Sequence, residues 1–347
     1  MKTIQNKKQF AHDLCDWYRN NKRDLPFRKS KDPYHIFVSE MMLQQTQIKT
    51  MLPYYYRFID KFPSIQALAD AKSETVLKYW EGLGYYSRAK YLHESANMIV
   101  KNFNGVFPST LHNIESLKGV GRYTARAIHS IAYNQPSPAV DGNVMRVMSR
   151  VLLNDKDIKK NQHMREIETV LESVIAHESP SDFTQGLMEL GALVCKKTPE
   201  CEACPLKQYC FAYKQNKQAH FPVISKPKQK TTHEYHTFVV RFESRYLLTK
   251  RPAKGLLANM HEFPQFELPY EQALEQLKQM VNISINTINP LAQVKHVFTH
   301  KIWIMHIHEV VLTNPIEPLT PLPHYPHPIS KAHKKIIAIL KENNLPV

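Results

Sequence analysis

The chain has 347 residues, 43% hydrophobic and 10% aromatic, which suits a globular protein of two domains and excludes disordered or fibrous classes. Its 46 Lys and Arg against 31 Asp and Glu give a formal net charge of +15, so an anionic partner such as nucleic acid is expected. No run approaches the roughly 20 apolar residues of a membrane span, and residues 1–25 carry charges throughout with no apolar signal core, so a soluble, cytoplasmic protein is expected.

From residue 1 to about 213 the texture is helical. Phe10, Leu14 and Trp17 stand at helical spacing in 7–20, and 35–60, 86–101, 109–117, 122–133, 142–153, 163–176 and 182–194 are further helix candidates. Ser109, after Pro108, reads as the cap of one of them. Residues 214–232, KQNKQAHFPVISKPKQKTT, are polar, basic and interrupted by two prolines, the composition of a linker. Beyond it the pattern changes. Two short strand-like runs flank a polar break in 236–251, 291–312 reads as a hairpin or meander, and 270–282 and 329–343 read as helices. The second domain, 233–347, is therefore α+β.

The stretch SLKGVGRYTARAI (116–128) spends two of the chain's 9 glycines on one corner before a helix. Gly119-Val120-Gly121 lets the backbone turn tightly, and the amides at the start of the next helix can receive an anion, with Lys118 and Arg122 beside them. A tight helix–helix corner without a ligand is the plainer reading of the glycines alone. The basic flanks and the charge of the chain favour a phosphate.

Four cysteines, Cys195, Cys201, Cys204 and Cys210, are spaced C-x5-C-x2-C-x5-C. Four thiolates on one short loop can wrap a [4Fe–4S] cube or a tetrahedral Zn²⁺, and a single C-x-x-C makes zinc the lesser alternative. Cys15 stands alone as a small apolar core residue.

The GVG corner resembles the helix-hairpin-helix of base-excision DNA glycosylases of the endonuclease III superfamily, here spanning 109–133. That family's catalytic aspartate follows about twenty residues on, and AVDGNVMRVMSR (139–150) supplies Asp141. As a helix cap Asp141 would simply bond the next amides. As a catalytic group it would stabilise positive charge developing at a deoxyribose C1′, and the same amides would favour its ionised form. Strand-cutting relatives carry a nucleophilic lysine where this chain has Tyr123, so base removal without strand cleavage is implied.

The string SEMMLQQTQ (39–47) is similar to a segment of the MutY-type adenine DNA glycosylases, in which the glutamate protonates the departing adenine; that role falls on Glu40. The resemblance implies that Gln45 and Thr46 contact the base opposite the adenine. In EGLGYYSRAKYL (81–92), it implies that Tyr85 wedges into the stack beside Leu83. RDLPFR (23–28) resembles a pocket segment that usually has tryptophan where Phe27 stands; Arg23 and Phe27 would line the adenine pocket. Asn143 would orient Asp141, and Gln185 replaces a glutamate of some relatives at the pocket.

By the same resemblance the cysteines hold a [4Fe–4S] cluster, although the first gap is one residue shorter than usual. Lys196, Lys197 and Lys207 on that loop would reach phosphates. TKRPAKGLLANMHEFP (249–264) resembles the Nudix-like C-terminal domain of the family, with His261 for a tryptophan and Asn259 for a glycine. No Nudix-type acidic box follows, so no metal-dependent pyrophosphatase activity is expected. VFTHK (297–301) matches a loop usually written Phe-Ser-His, so Phe298, Thr299 and His300 would read 8-oxoguanine. His306 and His308 would share a strand face, a weak candidate for a metal pair.

The expectation is thus a mainly α helix-hairpin-helix glycosylase domain with an iron–sulfur loop (1–213), joined by 214–232 to an α+β Nudix-like domain. It would act as a nucleoid-associated monomer on double-stranded DNA, removing adenine paired with 8-oxoguanine or guanine. The alternatives are a strand-cutting enzyme acting on oxidised pyrimidines, a non-catalytic DNA-binding module with a metal staple, and a Nudix hydrolase.

Overall fold

A computed structural model describes residues 2–225, 229–282 and 285–346. They divide into two compact units: residues 1–70 with 91–226, and 71–90 with 227–347. The division differs from the expected one twice: the first unit runs on past 213 to 226, and the segment 71–90 belongs to the second unit.

The first unit is helical. Its elements are α1 (Lys7–Asn21), α2 (Pro26–Lys29), α3 (Pro33–Leu43), α4 (Ile48–Lys61) and α5 (Ile65–Ala69). α6 (Ser73–Trp80) lies in the second unit, and α7 (Ser87–Phe103) runs from the second unit into the first. The first unit continues with α8 (Leu111–Glu115), α9 (Arg122–Tyr133), α10 (Gly142–Val151), α11 (Asn161–Ile175), α12 (Pro180–Leu193) and α13 (Phe211–Lys214). One core of this unit joins Phe10 and Leu14 of α1 to Val144 and Met148 of α10, Leu171 of α11 and Leu187 and Leu190 of α12, with Cys15 fully buried among them.

The run 35–60, expected as one helix, is two. α3 ends at Leu43, Gln45 takes a left-handed backbone (φ 58°), and α4 starts at Ile48. Apolar periodicity continues across the break, so pattern alone does not show it. The cap of α8 is Thr110, whose hydroxyl accepts from the Asn113 amide at 3.4 Å, not Ser109.

Much of the expected linker is part of the first unit. Phe221 is buried, Arg150 Nε donates to the carbonyls of Gln218 and Phe221 at 3.0 Å each, and the Ile158 amide donates to Val223 O at 3.1 Å. Residues 226–228 of that stretch lie outside the described residues.

The second unit is built on a mixed sheet. β1 (Thr231–Phe242) runs parallel to β7 (Lys301–Leu312), and β7 is antiparallel to β6 (Ile285–Val297). Short strands β2 (Arg245–Tyr246), β5 (Gln265–Phe266) and β8 (Thr320–Pro321) extend it, while β3 (Thr249–Lys250) pairs with β4 (His261–Glu262). Alternation along β1 and β7 feeds two cores. Val239, Trp303, Met305 and Ile307 pack with Ile336 and Leu340 of α15 (Lys331–Glu342). Phe238, Val240 and Val310 pack with Ala273 and Leu277 of α14 (Tyr270–Val281). β1 is a single strand of 12 residues, longer than the broken runs expected, and begins inside the expected linker.

No helix among the described residues is long and apolar enough to cross a membrane.

Candidate active site

A cavity of about 1060 Å³ opens in the first unit, and it gathers side chains distant in sequence. Arg23, Phe27, Glu40, Gln45, Thr46, Gly119, Gly121, Tyr123, Asp141, Asn143 and Gln185 all border it. Glu40 and Asp141, 101 positions apart, therefore meet at one space.

Glu40 sits on the last turns of α3 and is 7% exposed. It accepts a hydrogen bond from the Tyr123 hydroxyl, while its Oε2 has no partner. Burial pushes its carboxyl up to about 7; the nearby Asp141 adds to this, and the Tyr123 bond and the Arg28 charge oppose it. Such a group holds a proton near neutrality and can give it up. Tyr123, in the first turn of α9, is itself raised by burial and by both carboxylates, so it stays a neutral donor.

Asp141 caps α10. Its Oδ1 accepts from the Val144 amide at 2.7 Å and its Oδ2 from Asn143 Nδ2 at 2.9 Å. These bonds favour the ionised form, as the cap position suggested. Burial nevertheless outweighs them, and the carboxyl titrates above its ordinary value. Asn143 is held in turn. Arg146 Nη2 donates to Asn143 Oδ1 at 2.8 Å and to Gly191 O at 2.7 Å, and Arg146 Nε donates to Cys195 O at 2.8 Å. A polar chain thus runs from Asp141 to the cysteine loop. Gly191 permits it: a Cβ there would stand 2.6 Å from Asn143 Cβ and 3.1 Å from its backbone.

Two wall residues have no role in the sequence reading. Glu189 of α12 is fully buried and takes Arg23 Nε and Nη2 at 2.7 Å each and Arg28 Nη2 at 2.6 Å. Burial alone would raise Glu189, but the two guanidinium groups win and bring it to about 2. Arg23 is consequently fixed by an ion pair at the cavity wall. The only signal in sequence was the second arginine of RDLPFR. Phe27 packs edge-on to Tyr55 with ring centroids 5.8 Å apart. Gln185 turns its Nε2 toward Ser181 Oγ at 3.2 Å.

The hairpin turn is more constrained than expected. The Val120 amide is not free for an anion, since it donates to Leu117 O at 3.2 Å, and Val120 is buried. Gly119 has φ 71° and a Cβ on it would meet the Tyr91 side chain at 2.6 Å, so both backbone and space require glycine. Ser95 Oγ donates to Lys118 O at 2.9 Å, while the Lys118 side chain is exposed. No side chain caps α9, leaving the first-turn amides after Gly121 without a helical partner. Arg122 Nε is engaged by Glu168 at 2.6 Å.

Cys195, Cys201, Cys204 and Cys210 are unpaired and border one small pocket with Arg150. Arg150 Nη1 donates to Cys195 Sγ at 3.2 Å and to Lys196 O at 2.7 Å. Among the described residues, no three His, Cys, Asp or Glu side chains stand ready to hold a metal ion, His306 and His308 included. Lys196 and Lys207 are each tied to a glutamate of their own loop, Glu200 and Glu202, and only Lys197 of the three is exposed without such a pair.

The remaining candidates lie in the second unit. Leu83 is buried, whereas Tyr85 is 45% exposed with a left-handed backbone (φ 50°). The Tyr85 hydroxyl bonds Thr299 Oγ1, and Arg88 lies 5.4 Å from its ring. Phe298, Thr299 and His300 form the turn between β6 and β7. Phe298 packs on Trp303 with centroids 4.8 Å apart, and Thr299 and His300 are exposed.

Residues 38–173 match the HhH-GPD superfamily of base excision DNA repair proteins, and 235–338 match a NUDIX domain. Adenine DNA glycosylase of Buchnera aphidicola subsp. Acyrthosiphon pisum is 36% identical over 339 residues, covering 96% of this chain and 92% of the relative. The chain belongs to the adenine DNA glycosylase family. The enzyme of Buchnera aphidicola subsp. Baizongia pistaciae is 35% identical, covering 85% of this chain and 86% of its own. A solved thermostable thymine-DNA glycosylase superposes with a TM-score of 0.55 at 27% identity, covering 60% of this chain and 98% of that one. The chain is accordingly an adenine DNA glycosylase of base excision repair, and DNA is its partner.

Proposed function

We propose that this glycosylase removes adenine paired with 8-oxoguanine by hydrolysis, leaving an abasic site and an uncut strand. The observation that supports it most is the meeting of Glu40 and Asp141 at one cavity, with Glu40 kept as an acid near neutrality. An unmodified purine leaves poorly as an anion. Protonation at N7 makes the leaving group neutral, and burial gives Glu40 the proton for that step. As the C1′–N9 bond lengthens, positive charge grows on the sugar. Asp141, aimed by Asn143 and the Val144 amide, stabilises it, and Glu40, then a carboxylate, orients water to C1′. The cavity volume of about 1060 Å³ leaves room for an extruded nucleotide.

Tyr123 cannot form a Schiff base. Lys49 also borders the cavity but is exposed on α4. In the first unit, Gln45 and Thr46 at the α3–α4 break would contact the base opposite the adenine; in the second, Tyr85 would wedge into the stack and Phe298, Thr299 and His300 would read 8-oxoguanine. Lys118, Gly119, Gly121 and Arg122 would hold a phosphate.

The donor set of the cysteine loop suits an iron–sulfur cluster: Cys195, Cys201, Cys204 and Cys210 border one small pocket, and a [4Fe–4S] cluster takes four thiolates, with Zn²⁺ the alternative. Arg150 would offset its negative charge, and the cluster would order the loop that ends the Asp141–Asn143–Arg146 chain.

The test is a duplex with one 8-oxoguanine:adenine pair, incubated with protein and then heated in alkali. Cleavage at the adenine only after alkali, with no adduct trapped by borohydride, is expected. Cleavage without alkali, or a trapped adduct, would show a lysine-dependent strand-cutting enzyme instead.

A further inference from the structure

Arg122 opens α9, the second helix of the hairpin, and its Nε donates to Glu168 Oε2 at 2.6 Å. The two partners differ sharply in exposure: the Arg122 side chain is 42% exposed and that of Glu168 1%. Glu168 comes from α11, outside the hairpin. Its other oxygen, Oε1, is buried with no partner. Among the described residues, the terminal amino groups of Arg122 also have none, because its single protein bond is through Nε.

An ordinary surface pair contributes little to stability, and a desolvated carboxylate with one empty oxygen is costly. Stability alone is thus a poor reason for this arrangement. Its geometric consequence is definite. Anchoring an arginine at Nε fixes the plane of the guanidinium and leaves its end-on edge, one N–H from each terminal amino group, as the fork that can meet a phosphate in bidentate fashion. The fork stands at the first residue of a helix whose first-turn amides are uncapped.

We propose that Glu168 is a positioning residue for DNA binding, presetting the Arg122 fork for the phosphate at the hairpin. The proposal rests on the reading of the Gly119–Arg122 turn as a phosphate site, and the two can be tested apart. If Glu168 acted on DNA only through its charge, neutralising it would tighten binding, since it lies close to a phosphate. If it positions Arg122, neutralising it weakens binding. The sign of the effect decides.

The experiment measures affinity of the full chain for an undamaged duplex across a salt series, for wild type, Glu168→Gln, Glu168→Asp, Arg122→Ala and Glu168→Gln/Arg122→Ala. Arg122→Ala should weaken binding roughly three- to tenfold and reduce the slope of log K against log salt by about 0.9, the share of one phosphate contact. Glu168→Gln should reproduce most of both changes, and the double variant should show no further loss. Glu168→Asp, which keeps the charge but withdraws it by one methylene, should also weaken binding. Equal or tighter binding by Glu168→Gln or Glu168→Asp, beside a weakened Arg122→Ala, would overturn the positioning role and leave the phosphate site standing. An unchanged affinity and slope for Arg122→Ala would overturn both.

Discussion

Removing the Glu40 charge should make the protein more stable while making it inactive, and the gain should depend on pH. Glu40 is 7% exposed, one oxygen has no partner, and its carboxyl is raised from 4.5 to about 7. A carboxyl whose folded-state value is raised contributes most below the unfolded value, and that contribution is lost as pH rises through about 7. At about 1.4 kcal/mol per unit, the native state loses on the order of 3 kcal/mol between about pH 5 and about pH 9. Glu40→Gln does not titrate, and its amide oxygen can still accept from Tyr123. The melting temperature of the variant minus that of wild type should therefore grow across this range by roughly 6–12 °C, at about 2–4 °C per kcal/mol for a unit of this size. Paired thermal melts in matched buffers read the difference, and titrations common to both proteins cancel. A difference that is flat in pH, or a variant less stable than wild type at the alkaline end, would refute the buried-acid argument.

Single-turnover excision should fall about tenfold per unit above pH ~7, as Glu40 loses its proton, and should fall again in acid as Asp141 gains one. The Tyr123 hydroxyl lowers Glu40, so Tyr123→Phe should move the alkaline limb to higher pH; a limb that stays put or moves down would remove Tyr123 from the acid's surroundings. Gly191→Ala would drive a Cβ into Asn143, displacing the group that aims Asp141. It should cost about 1–3 kcal/mol of stability and slow excision about tenfold or more, read by melts and single-turnover rates. Protein purified without air should be brown, with a broad visible band that is lost with any one of Cys195, Cys201, Cys204 or Cys210; a colourless protein containing zinc would contradict the cluster.

The residues that bring the two carboxylates together are legible in sequence because each sits in a dense local motif. Asp141 caps a helix twenty residues past a glycine corner, and Glu40 lies in an unusual run of Met and Gln. Glu189 is not legible. It looks like one more polar residue on α12, and its importance comes from Arg23 and Arg28, more than 160 positions away. Nor is the break at Gln44–Gln47, where apolar spacing predicts an uninterrupted helix and the left-handed Gln45 is set by tertiary context. The start of β1, TTHEYH, is too polar to announce a strand; its pairing with β7, some 70 residues on, makes it one. The membership of 71–90 in the second unit could not be read from chain order, since its neighbours on both sides belong to the first.

The central claim is that Glu40 and Asp141 act on one purine in one cavity. Pre-steady-state excision on an 8-oxoguanine:adenine duplex tests it most directly, with binding of the same duplex measured in parallel for Glu40→Gln and Asp141→Asn. Each variant should bind within a few-fold of wild type and excise slower by about 10³-fold or more. Excision by either variant within about tenfold of wild type would contradict the account.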